Sequence, residues 1–260
     1  MPKPSTHKIS PLEILHDDAD VVVVNKPAHL AAIPGRGEDD SVIEMLGRQI
    51  GLPSSGKTDP RVRVVHRIDK DTTGVLLFAK HIDAQRHISH QFQNNTVLKE
   101  YLALVVGKVG EQSGTIDRPL APHPTAVGRM AVSKHGRPAR SDWKIEQSFR
   151  RFTLLRVFPK TGKTHQIRVH FADYGHPLAI DTLYNPAQQA ADPNERFGIF
   201  LSDHKRGYRA ARNAEERPLI ARLTLHAHRL TLNHPNGQTM TFEAPPPKDF
   251  RSVINQLSKL

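Results

Sequence analysis

Between the polar stretch Asp17-Asp18-Ala19-Asp20 and the stop Asn25-Lys26-Pro27 stand four consecutive valines, Val21 to Val24. A β-branched run bounded by turn formers predicts a buried strand. Ser41 followed by Glu44 has the spacing of a capping box and opens a short helix to about Ile50. Gly51 to Pro60, rich in Gly, Pro, Ser and Lys, is a loop. Arg61 to Val65 alternates as a strand, Gly74 to Ala79 is a second apolar strand, and Asp83 to Asn94 has the acidic start and spacing of a helix.

The centre of the chain reads as β: Val97 to Val106, Ser141 to Phe149 and Phe152 to Phe158. Thr164 to Tyr174 is the best helix of the second half, with Ile167, Phe171 and Tyr174 on one stripe. Asn185 to Pro218 is rich in Ala, Asp, Asn and Arg and predicts a polar surface insertion. Leu223 to Leu225 and Met240 to Phe242 are late strands, and Pro245-Pro246-Pro247 precedes a terminal helix. Hairpin-linked strands with interspersed helices predict an α+β fold, a mainly antiparallel mixed sheet with flanking helices. The expected organisation is one domain over 11–260 behind a short basic tail, 1–10, with 185–218 as the insertion.

Charge changes the picture from fold to partner. Lys and Arg number 37 against 26 Asp and Glu, a net +11. Such a field attracts polyanions, nucleic acid first and an anionic membrane surface second. No cysteine occurs, which removes disulfides, thiolate nucleophiles and Cys-containing zinc sites together. No apolar run approaches the roughly 20 residues of a membrane-spanning helix, and the first eight residues lack the apolar stretch of a signal peptide. The expectation is a cytoplasmic protein facing a polyanion.

Two tempting motifs fail on context. Gly51-Leu52-Pro53-Ser54-Ser55-Gly56-Lys57-Thr58 satisfies the phosphate-loop pattern, but that loop must leave a strand and open a helix. Here a helix precedes it and a strand follows. The sixteen histidines invite a metal, yet His226 with His228, and His165 with His170, lack the i, i+4 spacing of a helical zinc pair. No acidic ligands stand beside them in the sequence, so no metal is expected.

Two polar concentrations remain. His66-Arg67-Ile68-Asp69-Lys70-Asp71-Thr72-Thr73-Gly74 lies between two apolar strands. In extended chain Arg67 and Asp69 project to one face, although a polar turn with a local ion pair fits the composition as well. Thr161-Gly162-Lys163-Thr164-His165-Gln166-Ile167-Arg168-Val169-His170 leads into a helix. Its N-terminus could hold a phosphate or carboxylate, or it could be a capped helix with a solvated basic face.

The first segment resembles the His-Arg-Leu-Asp-x-x-Thr-Ser-Gly signature of the RluA family of pseudouridine synthases. The second resembles that family's Thr-Gly-Arg-Thr-His-Gln-Ile-Arg-Val-His. Further stretches fit in order: Asn25-Lys26-Pro27 with Ala28 to Gly35, Lys99-Glu100-Tyr101, Gly175-His176-Pro177 followed by Asp181, and Leu225-His226-Ala227 with His234-Pro235. The departures are Ile68 for Leu, Thr73 for Ser and Lys163 for Arg. The last keeps the charge and loses the planar fork.

The resemblance implies a pseudouridine synthase fold with a central RNA-binding cleft, standing alone without the small S4 module of many relatives. It implies an isomerase that moves ribose from N1 to C5 of uracil in ribosomal or transfer RNA, with no metal, no organic cofactor and no obligatory protein partner, as a monomer. Asp69 takes the nucleophile's position. Arg168 is expected to pair with Asp69 and orient it, and Tyr101 to stack on the uracil and accept a proton. Arg67 corresponds to the residue that fills the space left by a flipped base. His66, Lys99, Lys163 and His165 are candidate RNA contacts. A non-catalytic RNA-binding protein of the same fold is the alternative, and a phosphate-loop nucleotidase is a more distant one.

Overall fold

The computed structural model describes residues 11–35, 40–54, 61–190, 196–205, 207–208 and 215–260. The basic tail therefore lies outside the described residues, as do Gly56-Lys57-Thr58 of the phosphate-loop pattern and parts of the 185–218 insertion.

In chain order the strands and helices are β1 (Glu13–Asp17), β2 (Val21–Lys26), α1 (Val42–Ile50), β3 (Arg63–Val64), β4 (Thr73–Ala79), α2 (Ile82–Gln93) and β5 (Leu98–Val106). Then come β6 (Ser113–Asp117), β7 (Leu120–Pro122), β8 (Met130–Val132), β9 (Arg140–Ser148), β10 (Phe152–Pro159) and α3 (Gln166–Asp173). The chain closes with α4 (Pro186–Gln189), β11 (Leu225–Asn233), β12 (Thr239–Glu243) and α5 (Lys248–Leu257). Eight strands form one path, β1-β2-β4-β11-β5-β10-β9-β6, with β12 paired to β11 and β3 to β4. Among these described pairings β4 with β11 is parallel and the rest antiparallel. The expected mixed, mainly antiparallel sheet is what forms.

β2 and β4 explain why the sequence gives continuous apolar runs there and not alternation. Both strands are covered on two faces. Val22 and Val24 pack with Leu76 and Phe78 beneath α1, while Val21 and Val23 pack with Val75, Leu77 and Ile88 of α2 on the other side. On the far half of the sheet Phe250, Val253 and Leu257 of α5 close a separate core over Leu102, Leu104 and Leu154.

Gly74 decides how the two halves meet. Its φ is +112°, and a Cβ there would lie 2.1 Å from the carbonyl oxygen of Ala227. Only glycine lets β4 start flush against β11.

Four expectations need correction. Ser41 does precede α1, but its hydroxyl donates to the Glu44 carboxylate (3.1 Å) and caps no backbone N–H. The strand expected over 61–65 shrinks to Arg63–Val64. The strand expected at 223–225 begins only at Leu225. Within the polar insertion, Ile199 and Phe200 are buried and Ile199 pairs with Ile220, so part of it belongs to the core. No helix among the described residues is long and apolar enough to cross a membrane.

Candidate active site

The segment from His66 to Asp69 is irregular chain that enters a turn at Lys70 and Asp71, just before β4. Ile68 is buried in the core with Val62, whereas Arg67 is exposed and Asp69 partly so. Three ties fix the segment. Lys26, wholly buried, sends its ammonium to the carbonyls of Pro27 (2.7 Å), Leu30 (2.8 Å) and Lys70 (2.6 Å). Burial pulls its pKa down to about 7, against the opposing charges of Asp71 and Asp69. Thr72 N–H donates to the Asp69 carbonyl (3.1 Å). The Thr73 hydroxyl meets Nδ1 of buried His226 at 2.9 Å, and the other ring nitrogen faces the Ala244 carbonyl at 3.0 Å. A carbonyl only accepts, so Nε2 carries the proton and Thr73 donates.

Asp69 sits one-quarter exposed with its two oxygens in unlike surroundings. Oδ2 accepts from Arg168 Nη1 at 3.2 Å, while Oδ1 has His165 Nε2 at 4.0 Å, beyond hydrogen-bond range. Arg168 is itself buried in a two-pronged pair with Asp181, Nε and Nη2 each 2.8 Å from a carboxylate oxygen. Burial opposes the Arg168 charge, but Asp181 and then Asp69 outweigh it and raise its pKa. Asp181 is in turn held by the backbone N–H groups of Leu183 (3.0 Å) and Tyr184 (3.1 Å).

Tyr101 comes from β5, at the register where β5 lies between Ala227 of β11 and Val157 of β10. Burial, and secondarily the charge of Asp69, raises its phenol pKa well above the ordinary value. Two residues earlier, Lys99 donates to the Thr161 carbonyl (3.2 Å), and burial with Lys160 and Lys163 nearby lowers its pKa to about 8. His66 points back into the fold: Nε2 accepts Leu77 N–H (3.0 Å) and the ring stacks on Phe92 at 4.6 Å. Burial, then Lys99, lowers its pKa to about 3, so it is neutral.

The helix carrying Arg168 starts at Gln166, two residues later than expected, because His165 takes a left-handed conformation (φ 54°). Gln166 through Phe171 are all buried, so the solvated basic face is not found. The free-amide reading is also reduced. Lys163 N–H donates to the Gln166 side chain (3.0 Å), and Gln166 N–H donates back to the Lys163 carbonyl (3.1 Å). His170 is consumed within the fold by Ser141 Oγ and the Arg118 carbonyl, each at 3.0 Å.

All eight residues singled out from sequence line one open cleft of about 770 Å³, in the size range of ligand sites. Arg67 is exposed at its wall, and Ala31 to Gly35 also line it.

The matched positions of the RNA pseudouridylate synthase family model run from residue 20 to residue 173, more than half of the chain. The chain belongs to that family. Its class is thereby that of RNA isomerases. It is 37% identical over 251 residues to ribosomal large subunit pseudouridine synthase D of Nitrosomonas europaea, an alignment covering 96% of this chain and 66% of that protein. It is 38% identical to the protein of the same name from Haemophilus ducreyi, over 95% of this chain and 71% of that one. The relatives are thus longer by about a third or more. The solved structure of human RNA pseudouridylate synthase domain containing 4 shares the fold at a TM-score of 0.70, with 23% identity over 95% of this chain and 93% of that chain.

Sequence reasoning noted Asp181 as a match without giving it work, and passed over Tyr184. A signal existed: a buried Arg168 that must leave Asp69 partly free needs another carboxylate. A second omission lies away from the cleft. Asp18, Asp20 and His234 offer ligand atoms within 4.8 Å of one another, brought together from the β1–β2 and β11–β12 turns, where no sequence spacing could announce them. His234 Nδ1 accepts Asn236 N–H (3.2 Å) and His81 Nδ1 accepts Ala84 N–H (3.3 Å). His81 Nε2 therefore faces Asp20 as a donor at 2.8 Å, whereas His234 Nε2 is buried without a hydrogen bond among the described residues.

Proposed function

We propose that this chain converts uridine to pseudouridine in RNA through Asp69. Large-subunit ribosomal RNA is the first candidate substrate, because the similar proteins are named for it, and transfer RNA the second. The supporting observation is the asymmetry of Asp69: one oxygen is fixed by a buried arginine, and the other is open on the floor of a basic cleft.

The reaction must break the bond from C1′ to N1, rejoin C1′ to C5, release the C5 proton and return a proton to N1. As the first bond breaks, C1′ becomes electron-poor. The open carboxylate oxygen of Asp69 can capture or stabilise it, while Arg168, anchored by Asp181, keeps the carboxylate from rotating away. Tyr101 offers a ring for the base to stack on. Its raised pKa keeps it protonated in the resting cleft. Once the Asp69 charge is consumed by bonding to C1′, one of the two causes of that rise disappears. Tyr101 can then pass its own proton to N1 of the detached base and, as phenolate, take the C5 proton when that proton must leave.

A uridine within folded RNA must be swung out of its stack, and exposed Arg67 is suited to fill the gap. Lys99 and Lys163 supply positive charge for phosphates along the cleft. His66 can offer RNA only the edge not engaged by Leu77, and His165 Nε2 stands 4.0 Å from Asp69 Oδ1. In this reading the protein acts as a cytoplasmic monomer, one domain over 11–260, and needs no cofactor.

The test is tritium release from C5-labelled uridine in bulk RNA taken from a strain lacking this gene. Wild-type protein should release tritium and Asp69→Asn should not, with RNA affinity retained. A folded Asp69→Asn protein with near-normal release would defeat the assignment. Wild-type protein that binds RNA without releasing tritium would favour the non-catalytic alternative.

A further inference from the structure

Behind the open oxygen of Asp69 lies a chain of polar contacts that the reaction scheme does not use. It begins in the backbone of β8, where Met130 N–H donates to the phenol oxygen of Tyr184 at 2.8 Å. That oxygen lies 2.7 Å from Nδ1 of His165, and Nε2 of His165 lies 4.0 Å from Asp69 Oδ1. Tyr184 is 7% exposed, so its hydroxyl proton needs an acceptor inside the protein. Met130 N–H is a donor and cannot serve. Among the described contacts of that hydroxyl, His165 Nδ1 is the acceptor. The phenol therefore donates to Nδ1, which leaves the imidazole proton on Nε2.

The ring positions are fixed as firmly as the proton. Two guanidinium groups lie against the Tyr184 ring, Arg168 5.1 Å and Arg129 5.4 Å from its centre. Its backbone N–H is tied to Asp181, the anchor of Arg168. His165 holds a left-handed backbone, in which a non-glycine residue costs free energy unless its surroundings enforce it.

We propose that Tyr184 is a positioning residue that locks His165 in the Nε2–H form, and that His165 donates this proton to the oxygen of Asp69 not held by Arg168. This rests on the reading of Asp69 given above. Closing the gap by about 1 Å brings Nε2 and Oδ1 to hydrogen-bond distance, so the contact forms as substrate settles in the cleft. A neutral donor stabilises the carboxylate without adding a second full positive charge beside Arg168. Burial, the largest influence on the His165 ring, favours the same neutral form and outweighs the opposing charge of Asp69.

The first experiment uses no RNA. Long-range ¹H–¹⁵N correlation spectra of the ¹⁵N-labelled full chain report which ring nitrogen of each histidine carries the proton, and loss of a signal in His165→Asn assigns the residue. The expected wild-type pattern is Nε2–H from about pH 6 to 8, becoming mixed or doubly protonated at the acid end in Tyr184→Phe. An Nδ1–H pattern in wild type, or an unchanged pattern in Tyr184→Phe, would overturn the proposal. The second experiment is the single-turnover rate of tritium release. His165→Gln retains a donor at the distance of Nε2, whereas His165→Asn reaches only as far as Nδ1. Asparagine tolerates the left-handed backbone better, so His165→Asn should be the more stable of the two and yet slower by about tenfold, the size of one hydrogen bond to a charged group. Equal rates, or a faster Asn variant, would overturn the donor role, because a merely structural role predicts that order. The tautomer result stands whether or not Asp69→Asn is inactive, so failure of the two readings can be told apart.

Discussion

β4 carries a carboxylate cluster near each of its ends, and the two clusters are built on opposite rules. Beyond its last residue, around Asp18 and Asp20, three of the four carboxylate oxygens have a partner within 3.2 Å. Asp18 Oδ1 accepts the N–H groups of Asp20 and Val21, both at 2.8 Å, and Oδ2 meets His16 at 2.6 Å and His234 at 3.2 Å. Asp20 meets His81 at 2.8 Å, and its other oxygen has His234 at 3.9 Å. Before its first residue, Asp181 is saturated in the same way, but Asp69 keeps one oxygen open toward a cleft. Charge density and histidine content do not separate the two ends. The cleft does: Asp69 lines it, and Asp18 and Asp20 do not. A polar cluster whose contacts stay within its own turns holds the fold together, and one that turns a free oxygen to a cleft can do chemistry.

The comparison breaks most decisively on Asp69→Asn, which should cut tritium release by roughly ten-thousand-fold or more while leaving the urea midpoint near wild type. Asp71→Asn is its control. Asp71 meets exposed His29 at 2.9 Å, so that variant should keep most of its activity; equal damage from both would mean that the loop, and not the open oxygen, was being tested.

Next in size is Asp181→Asn, which strands a buried guanidinium. Breaking such a pair costs about 3–5 kcal/mol, read as a large loss of stability in urea titration together with lost activity. A stable, inactive Asp181→Asn protein would show that Arg168 can be held by Asp69 alone.

Asp18→Asn should give the reverse of Asp69→Asn, with activity kept and stability reduced in a pH-dependent way. Burial tends to raise the Asp18 pKa, but the His16 contact and the backbone donors of Val21 and Asp20 outweigh it and hold it below the ordinary carboxylate value. A depressed carboxylate pKa stabilises the fold above its unfolded value and loses that contribution as pH falls through the folded one. The stability gap between wild type and variant should thus be full at pH 6 and close below pH 4. A gap independent of pH would mean that shape, not charge, is what Asp18 supplies. The smallest effect belongs to Lys57→Ala in the phosphate-loop pattern. Tritium release should stay within about twofold of wild type, with no nucleotide hydrolysis in either protein.

These contrasts also mark how far the sequence could be read. Runs such as Val21 to Val24 announced buried strands because burial on two faces leaves no polar alternation. The two motif segments marked the cleft because the chemistry is concentrated in contiguous residues. Asp181 and Tyr184 carried no comparable mark: their significance lies in contacts with Arg168 and His165, made only once the chain has folded. The far cluster was invisible for the same reason, since its histidines and aspartates come from separate turns. The left-handed His165, which shortened α3, follows from tertiary contacts that no local propensity encodes.

The close approach of Gly74 to Ala227 has a consequence for when the protein comes to life. Thr73, four residues after Asp69, is anchored to His226, 153 residues further along. The family match ends at residue 173, so this anchor lies well beyond the segment that carries Asp69 and Arg168. A nascent chain that has delivered both of those residues to the ribosome exit still lacks the strand against which β4 must dock. Long-range closures of this kind come late in folding. The cleft is therefore finished only after β11 has emerged, and RNA close to the translating ribosome meets a basic surface before it meets an enzyme.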